Sequence, residues 1–306
     1  MLMGATVTTF LMSLIPPLPF LLAGCLPLWV GSLLAGVSGL PLRPGVLGAG
    51  ILAVAALMLA AFAGRETFCP GVGRCPAWRL TFARQPRIVT LAALGVAALI
   101  GAALQFGWRT GAFTIPLGAL GILGGYFSFA PPLAWHRRGL GEAMGALCFG
   151  LLPVATGLYL QCGHLLTETL LYGLPLTFTG FNLFLMYGFP GPGDAGSQIP
   201  LNPPFSEGDL PGTLAARIQP LTAALLYTIL NILTIIGLAL ILIFPAAALP
   251  WRFGLVPLTL LAVVNQELIK RKAYLQEGRL HLLARLTLTL HVGMGLVFVM
   301  MLWQRL

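Results

Sequence analysis

The sequence predicts an all-α integral membrane protein, a bundle of about nine transmembrane helices with its N-terminus in the cytoplasm. Three observations predict it. First, 58% of the 306 residues are apolar and only 8% are charged, whereas an ordinary soluble domain carries about 25% charged residues. A surface facing lipid must avoid ionisable groups, because a charge at mid-bilayer costs about 3 kcal/mol or more. Second, uncharged runs recur that meet the roughly 20 residues a helix needs to cross about 30 Å of hydrocarbon. Third, most Lys and Arg residues fall on alternate connections between these runs, as the positive-inside rule requires.

The first 42 residues carry no charge, and Pro16, Pro17 and Pro19 interrupt them, which places the first span at 19–38 after an apolar lead-in. No positively charged segment precedes it, so a cleaved signal peptide is not expected. Runs at 44–64, 88–108, 110–135, 143–163, 169–193 and 218–251 follow, and then two weaker ones at 253–266 and 282–303. These runs are apolar all round rather than alternating as barrel strands do, and a span in lipid must bond its backbone internally, so they read as helices. With 38 Gly and 24 Pro, close helix contacts and kinks are expected, and Gly118, Gly121 and Gly124 read as packing positions. The chain forms one membrane domain, 1–306.

With nine spans, one side of the membrane receives Arg65, Arg74, Arg79, Arg84, Arg87, Arg137, Arg138, Arg217, Lys270, Arg271, Lys272, Arg279 and Arg285. The other receives Arg43, Arg109, Arg252 and Arg305. The split of 13 against 4 among the 17 basic residues assigns the first side to the cytoplasm, with the C-terminus outside and a bacterial cytoplasmic membrane as the expected location. The net charge of +9 then belongs to loops beside anionic headgroups, not to nucleic-acid binding. Two cytoplasmic loops are long, 65–87 and 191–217, and long loops gathered on one face mark the working face of a scaffold. They lie four spans apart, which suggests a four-helix repeat. Five cysteines, Cys25, Cys69, Cys75, Cys148 and Cys162, make an odd set without a disulfide framework or the paired spacing of a zinc site.

The most informative stretch joins the fourth span to the fifth. It runs from Tyr126 through Ser128, Pro131, Pro132, Trp135, His136, Arg137 and Arg138 to Gly139, Leu140, Gly141 and Glu142. Glu142 falls in the first turn of a helix, where an acid suits the helix dipole, and the two Arg suit an anionic headgroup. His136 is a candidate acid or base near pH 7, or a polar residue of the interface. His281 and His291 fall ten residues apart on the last helix, too far along its axis to share a metal. No P-loop, nucleophile elbow or His-Glu-x-x-His pattern occurs.

The segment Arg138-Gly139-Leu140-Gly141-Glu142 resembles the loop between helices 4 and 5 in the UbiA superfamily of intramembrane prenyltransferases, nearest the branch that prenylates dihydroxynaphthoate in menaquinone synthesis. A second echo is Thr213-Leu214-Ala215-Ala216-Arg217, similar to the segment that follows the family's second acidic motif. The resemblance implies a UbiA-type bundle and transfer of a polyprenyl chain from its diphosphate to an aromatic quinone precursor. It also implies Mg²⁺ held by aspartates in the two long loops, neutralising the leaving diphosphate. The acidic motifs are largely missing. The first loop offers Glu66 beside Arg65, and the second reads Phe189-Pro190-Gly191 where an aspartate is expected after the proline, with Asp194, Glu207 and Asp209 further on.

Glu66, Asp194, Glu207 and Asp209 are therefore the metal candidates, against the reading that they are solvated loop acids. Arg65, Arg79, Arg137 and Arg138 are candidates for binding a diphosphate or other anion, against a role as positive-inside anchors. Two functions follow from the resemblance. One is a prenyltransferase with lost or altered Mg-diphosphate chemistry, needing Mg²⁺ if it is active. The other is a non-catalytic protein that binds an isoprenoid, quinone or pigment, or serves as a subunit of a larger membrane complex. Membrane lipid, a polyprenyl diphosphate or quinone-like lipid, and other membrane subunits are the expected partners.

Overall fold

The computed structural model describes residues 18–68, 85–189, 213–243 and 252–306, and these are mainly helical, with no strand among them. In chain order the helices are α1 (Leu18–Val37), α2 (Pro44–Phe68), α3 (Pro86–Ala102, continued by a wider turn over Ala103–Gly107) and α4 (Thr114–Gly125, tightened at its end over Tyr126–Ser128). Next come α5 (Gly141–Phe149), α6 (Leu151–Cys162) and α7 (Glu168–Tyr187). The short α8 (Leu214–Arg217), α9 (Pro220–Ile243), α10 (Leu255–Lys270) and α11 (Glu277–Trp303) complete the order.

Among the described residues seven segments are long and apolar enough to cross a membrane: α1, α2, Pro86–Gly107, Gly141–Cys162, α7, α9 and Gly278–Trp303. The protein is an all-α integral membrane protein. The run at 110–135 gives a shorter helix than its length suggests. Gly111 turns the chain with φ 131 before α4 begins, and the prolines at 131 and 132 close it. Thr114–Ser128 then reaches about 22 Å at 1.5 Å per residue, short of the hydrocarbon thickness. The run at 253–266 likewise becomes the 16-residue α10.

Gly150 interrupts the span from Gly141 to Cys162, with φ −128 and ψ −103. The break is stitched across helices: the Leu151 N–H, which loses an intrahelical partner, donates to Thr177 Oγ1 of α7 at 2.8 Å. No hydrophobic force drives helices together in lipid, so close packing and interhelical hydrogen bonds must do so. At the α1–α6 crossing two glycines face each other's backbones. A Cβ on Gly31 would overlap the Val154 carbonyl, and one on Gly157 would overlap the Leu28 carbonyl. Ser32 Oγ donates to Gly157 O at 3.2 Å across this contact. Around it Leu26, Val30, Leu33, Val154, Leu158 and Phe298 form the largest apolar core. Deeper polar ties include Tyr227 Oη with Thr287 Oγ1 at 2.8 Å and Asn231 Nδ2 donating to Ala262 O at 2.8 Å. His291, fully buried, meets Thr179 Oγ1 at 2.9 Å and Ala23 O at 3.3 Å. By contrast α3 and α9 turn large apolar residues outward, Leu91 and Leu99 on one and Leu221 and Leu225 on the other.

The C-terminal ends of α2, α4, α7 and α10 and the short α8 come together at one end of the bundle. Phe68 stacks edge-on with Tyr126, Phe189 tilts against Tyr274, and the Arg217 guanidinium donates to Arg137 O. The opposite end is closed by Arg43 N donating to Gln161 Oε1 at 2.9 Å and Phe113 N donating to Tyr159 Oη at 3.0 Å. Of the three α4 glycines expected to be packing positions, Gly121 and Gly124 do sit against neighbours, but a Cβ on Gly118 would meet nothing within 4 Å. Gly118 faces open space rather than a packed helix.

Candidate functional site

Between α1, α2, α3, α4, α5 and α6 lies a cavity of about 420 Å³, within the size range of small-molecule sites. Its long wall is made of small and apolar residues, among them Gly50, Ala53, Ala97, Gly101, Gly118 and Gly121. Most polar groups collect at the end where α2 and α4 finish, Ser128, His136, Glu142, Tyr187 and Thr213, while Thr114 and Thr156 farther along the wall donate to the backbone carbonyls of Gly111 and Leu152. Among the described residues no Lys or Arg lines the chamber.

The Arg138-to-Glu142 segment shapes this end in a way that explains its composition. Ala134 takes a left-handed conformation at φ 42 and starts a tight turn over Trp135–Arg138, which Gly139 ends at φ 74. Trp135 Nε1 donates to Leu123 O at 2.8 Å and Arg138 Nη2 to Pro132 O at 3.0 Å, so the turn is pinned to α4 and to its own start. Gly141 has no Cβ because one would sit 2.9 Å from His136 Cα; the absent side chain lets the turn lie against the first turn of α5. The His136 ring is 3% exposed and bonds through Nδ1 to Ser128 O. A carbonyl only accepts, so Nδ1 carries the proton. Burial pushes the His136 pKa below its ordinary value, the Arg137 and Arg65 charges push it the same way, and the bond to Ser128 O opposes them.

Glu142 holds the other side. Its Oε1 accepts from Leu214 N at 2.7 Å and from Ala215 N at 3.4 Å, so a side chain of α5 caps the N–H groups that open α8. Thr213 Oγ1 completes the cap by accepting from Ala216 N at 3.1 Å while it donates to Gly188 O at 3.2 Å. Glu142 Oε2 is buried without a hydrogen-bond partner among the described residues. Sequence reasoning assigned Glu142 only to the helix dipole. The signal that marks it is the pair of glycines at 139 and 141, which clear space for a buried turn immediately before an acid.

The residues singled out from the sequence separate. Arg65 is buried at the end of α2, 2% exposed, near enough to His136 to affect its charge, but it does not line the chamber. Glu66 faces a shallow hollow shared with Thr67, Gln85, Pro86 and Arg87, away from the chamber. Arg137 and Arg138 are exposed. Arg79, Asp194, Glu207 and Asp209 lie outside the described residues, as do Cys69 and Cys75. Among the described residues no three His, Cys, Asp or Glu side chains gather. Mg²⁺ takes six oxygens in tight geometry, usually with carboxylates among them, and the chamber wall offers one carboxyl group with one oxygen already bonded. The described residues do not make a Mg²⁺ site.

No protein-family model matches the sequence, and no curated protein is significantly similar to it. Solved structures do match. The fold is similar to the apo structure of a UbiA homolog from Aeropyrum pernix K1, with a TM-score of 0.65 and 13% identity over 92% of this chain and 97% of that one. It is also similar to a UbiA homolog from Archaeoglobus fulgidus bound to GPP and Mg²⁺, with a TM-score of 0.58 and 14% identity over 92% and 96% of the two chains. The helical bundle and its interior chamber therefore define an intramembrane protein, and its fold is that of the UbiA homologues.

Proposed function

We propose that this chain is a UbiA-type membrane protein that takes an isoprenoid chain into the chamber, head group toward Glu142, and that the family's Mg-diphosphate chemistry is lost or altered in it. The observation that carries this reading is the chamber itself, apolar along its length and polar at one end. A branched hydrocarbon chain fits such a wall, and burial of its surface supplies about 25 cal/mol per Å². The Archaeoglobus homologue of the same fold binds GPP, a prenyl diphosphate, together with Mg²⁺. Here the wall presents a carboxyl group and no cation among the described residues, the reverse of what a diphosphate needs. Family-type transfer to an aromatic quinone precursor would depend on Asp194, Glu207 and Asp209 to complete a metal site. The orientation follows the charge split, with the chamber's polar end and both long loops, 65–87 and 191–217, on the cytoplasmic side.

The test is photolabelling of the protein in lipid nanodiscs with a diazirine-bearing prenyl chain, beside a turnover assay with farnesyl diphosphate, dihydroxynaphthoate and Mg²⁺. Labelling is expected on α2 and α4 and lost in Gly118→Leu, which fills the chamber where a side chain meets nothing. No Mg-dependent prenylated product is expected. Labelling confined to the outer faces of α3 and α9 would remove the chamber reading, and Mg-dependent turnover abolished by Asp194→Asn or Asp209→Asn would remove the reading that the chemistry is lost and leave a rearranged metal site.

A further inference from the structure

Glu142 is 4% exposed and faces the chamber. Several neighbouring polar atoms at this end are bonded within the protein: Ser128 Oγ to Gly124 O, His136 Nδ1 to Ser128 O, and Thr213 Oγ1 to both Gly188 O and Ala216 N. Glu142 Oε1 is committed to the first N–H groups of α8. Among the described residues Oε2 of that carboxyl has no hydrogen-bond partner, although it is buried. A buried polar atom without a partner is disfavoured relative to a bonded one, so this one marks where a ligand supplies the missing bond.

We infer that Glu142 Oε2 docks a hydroxyl on the head of the bound isoprenoid, so that the chamber's ligand is an isoprenoid with a hydroxyl head rather than a diphosphate. The inference rests on the chamber holding an isoprenoid chain. A hydroxyl both donates and accepts, so it pairs with Oε2 whether Glu142 is ionised or protonated. A carbonyl pairs only with the protonated form and an ammonium only with the ionised one. A diphosphate brings further negative charge to a wall that offers it no Lys or Arg among the described residues.

The experiment measures saturable binding of tritiated farnesol, farnesene and farnesyl diphosphate to the full chain in nanodiscs, each expressed per mole fraction in the bilayer. Farnesol is expected to bind at least about tenfold more tightly than either of the others, the scale of one buried hydrogen bond gained against one left unmade. Gly118→Leu is expected to abolish binding of all three. Glu142→Leu is expected to bring farnesol binding down to that of farnesene measured on the same variant; should that variant fail to fold, the ranking in the unmodified protein decides alone. Farnesene equal to farnesol, or farnesyl diphosphate above it, overturns the hydroxyl site and leaves the chamber reading standing. Saturable binding of none of the three overturns both.

Discussion

Replacing Gly31 or Gly157 with alanine attacks the tightest backbone contact in the bundle. A methyl on Gly31 would overlap the Val154 carbonyl and lie 2.9 Å from Leu158 N, and one on Gly157 would overlap the Leu28 carbonyl and lie 3.0 Å from Ser32 N. All of these neighbours are backbone atoms, so no rotamer change relieves the overlap and α1 must move away from α6. A shift of about 1 Å forfeits up to about half of the dispersion attraction at each affected contact. Overpacking of this kind costs about 1–3 kcal/mol, and loss of the Ser32 to Gly157 bond adds about 0.6–1.7 kcal/mol at membrane-protein values. Each single substitution should therefore destabilise the fold by about 2–4 kcal/mol. The double substitution should cost at least about 1 kcal/mol less than the sum, because one separation of the helices accommodates both methyls. Gly95→Ala, whose methyl meets nothing within 4 Å, is the control and should gain up to about 0.5–1 kcal/mol of helix propensity. The assay is reversible unfolding by SDS in mixed micelles, followed by circular dichroism. A Gly157→Ala variant within about 0.5 kcal/mol of the parent, the usual scale of an inconsequential substitution, would refute the account of how α1 and α6 pack.

Three further outcomes are expected. Because the folded state lowers the His136 pKa, the unfolded chain binds more protons than the native one between that lowered value and the ordinary one near 6.5, so stability falls as pH drops through this window and is flat above it; thermal melts of His136→Gln should lose this slope, and a slope unchanged by the substitution would contradict the assignment. His291→Ala should cost about 2–4 kcal/mol through a cavity and the lost tie to Thr179, whereas His281→Ala, on the same helix but less buried, should cost under about 0.5 kcal/mol in the same SDS titration; equal costs would reject His291 as an anchor. A C-terminal alkaline phosphatase fusion should be active and a green fluorescent protein fusion dark, as an external C-terminus requires; the reverse pattern overturns the orientation drawn from the 13 to 4 charge split.

Class and helix positions were legible because hydrocarbon imposes one rule on every residue of a span. The run at 44–64 meets α2 at Pro44, and the run at 169–193 meets α7 within one residue of Glu168. What composition does not encode is where an apolar run stops being helix. Gly111 and the prolines at 131 and 132 shorten α4, and Gly150 breaks α5 from α6, because local backbone conformation decides these points and hydropathy averages over them. The site was half legible. The segment from Arg138 to Glu142 and the segment at Thr213 stood out as motifs, and the structure joins them through the bond from Leu214 N to Glu142, 72 residues apart. Which residue of the motif faces the chamber was not legible. Charge drew attention to Arg137 and Arg138, which the turn directs outward, whereas the two glycines turn Glu142 inward.

The division of labour between the two motifs and the rest of the wall bears on how such a chamber is specialised. Its space is not made by loops but by absent side chains: Gly50, Ala53, Ala97, Gly101, Gly118 and Gly121 line it from α2, α3 and α4. Packed interiors leave few voids larger than a water molecule, so a chamber of about 420 Å³ must be bounded by helices held in place by something other than contact across it. That support is the α1–α6 crossing, with α7 and α11 packed behind it through Tyr172 and Phe298. Stability and binding volume therefore belong to different faces of the bundle. A larger residue at Gly118 subtracts volume at little cost to the fold, and the same change at Gly157 costs the fold itself. The head-group end is coupled to neither: Glu142 and Thr213 fix α8 by hydrogen bonds to its own N–H groups. On the proposed reading, exchange of acids and bases in the neighbouring connections alters head-group chemistry while the apolar chamber and its scaffold persist.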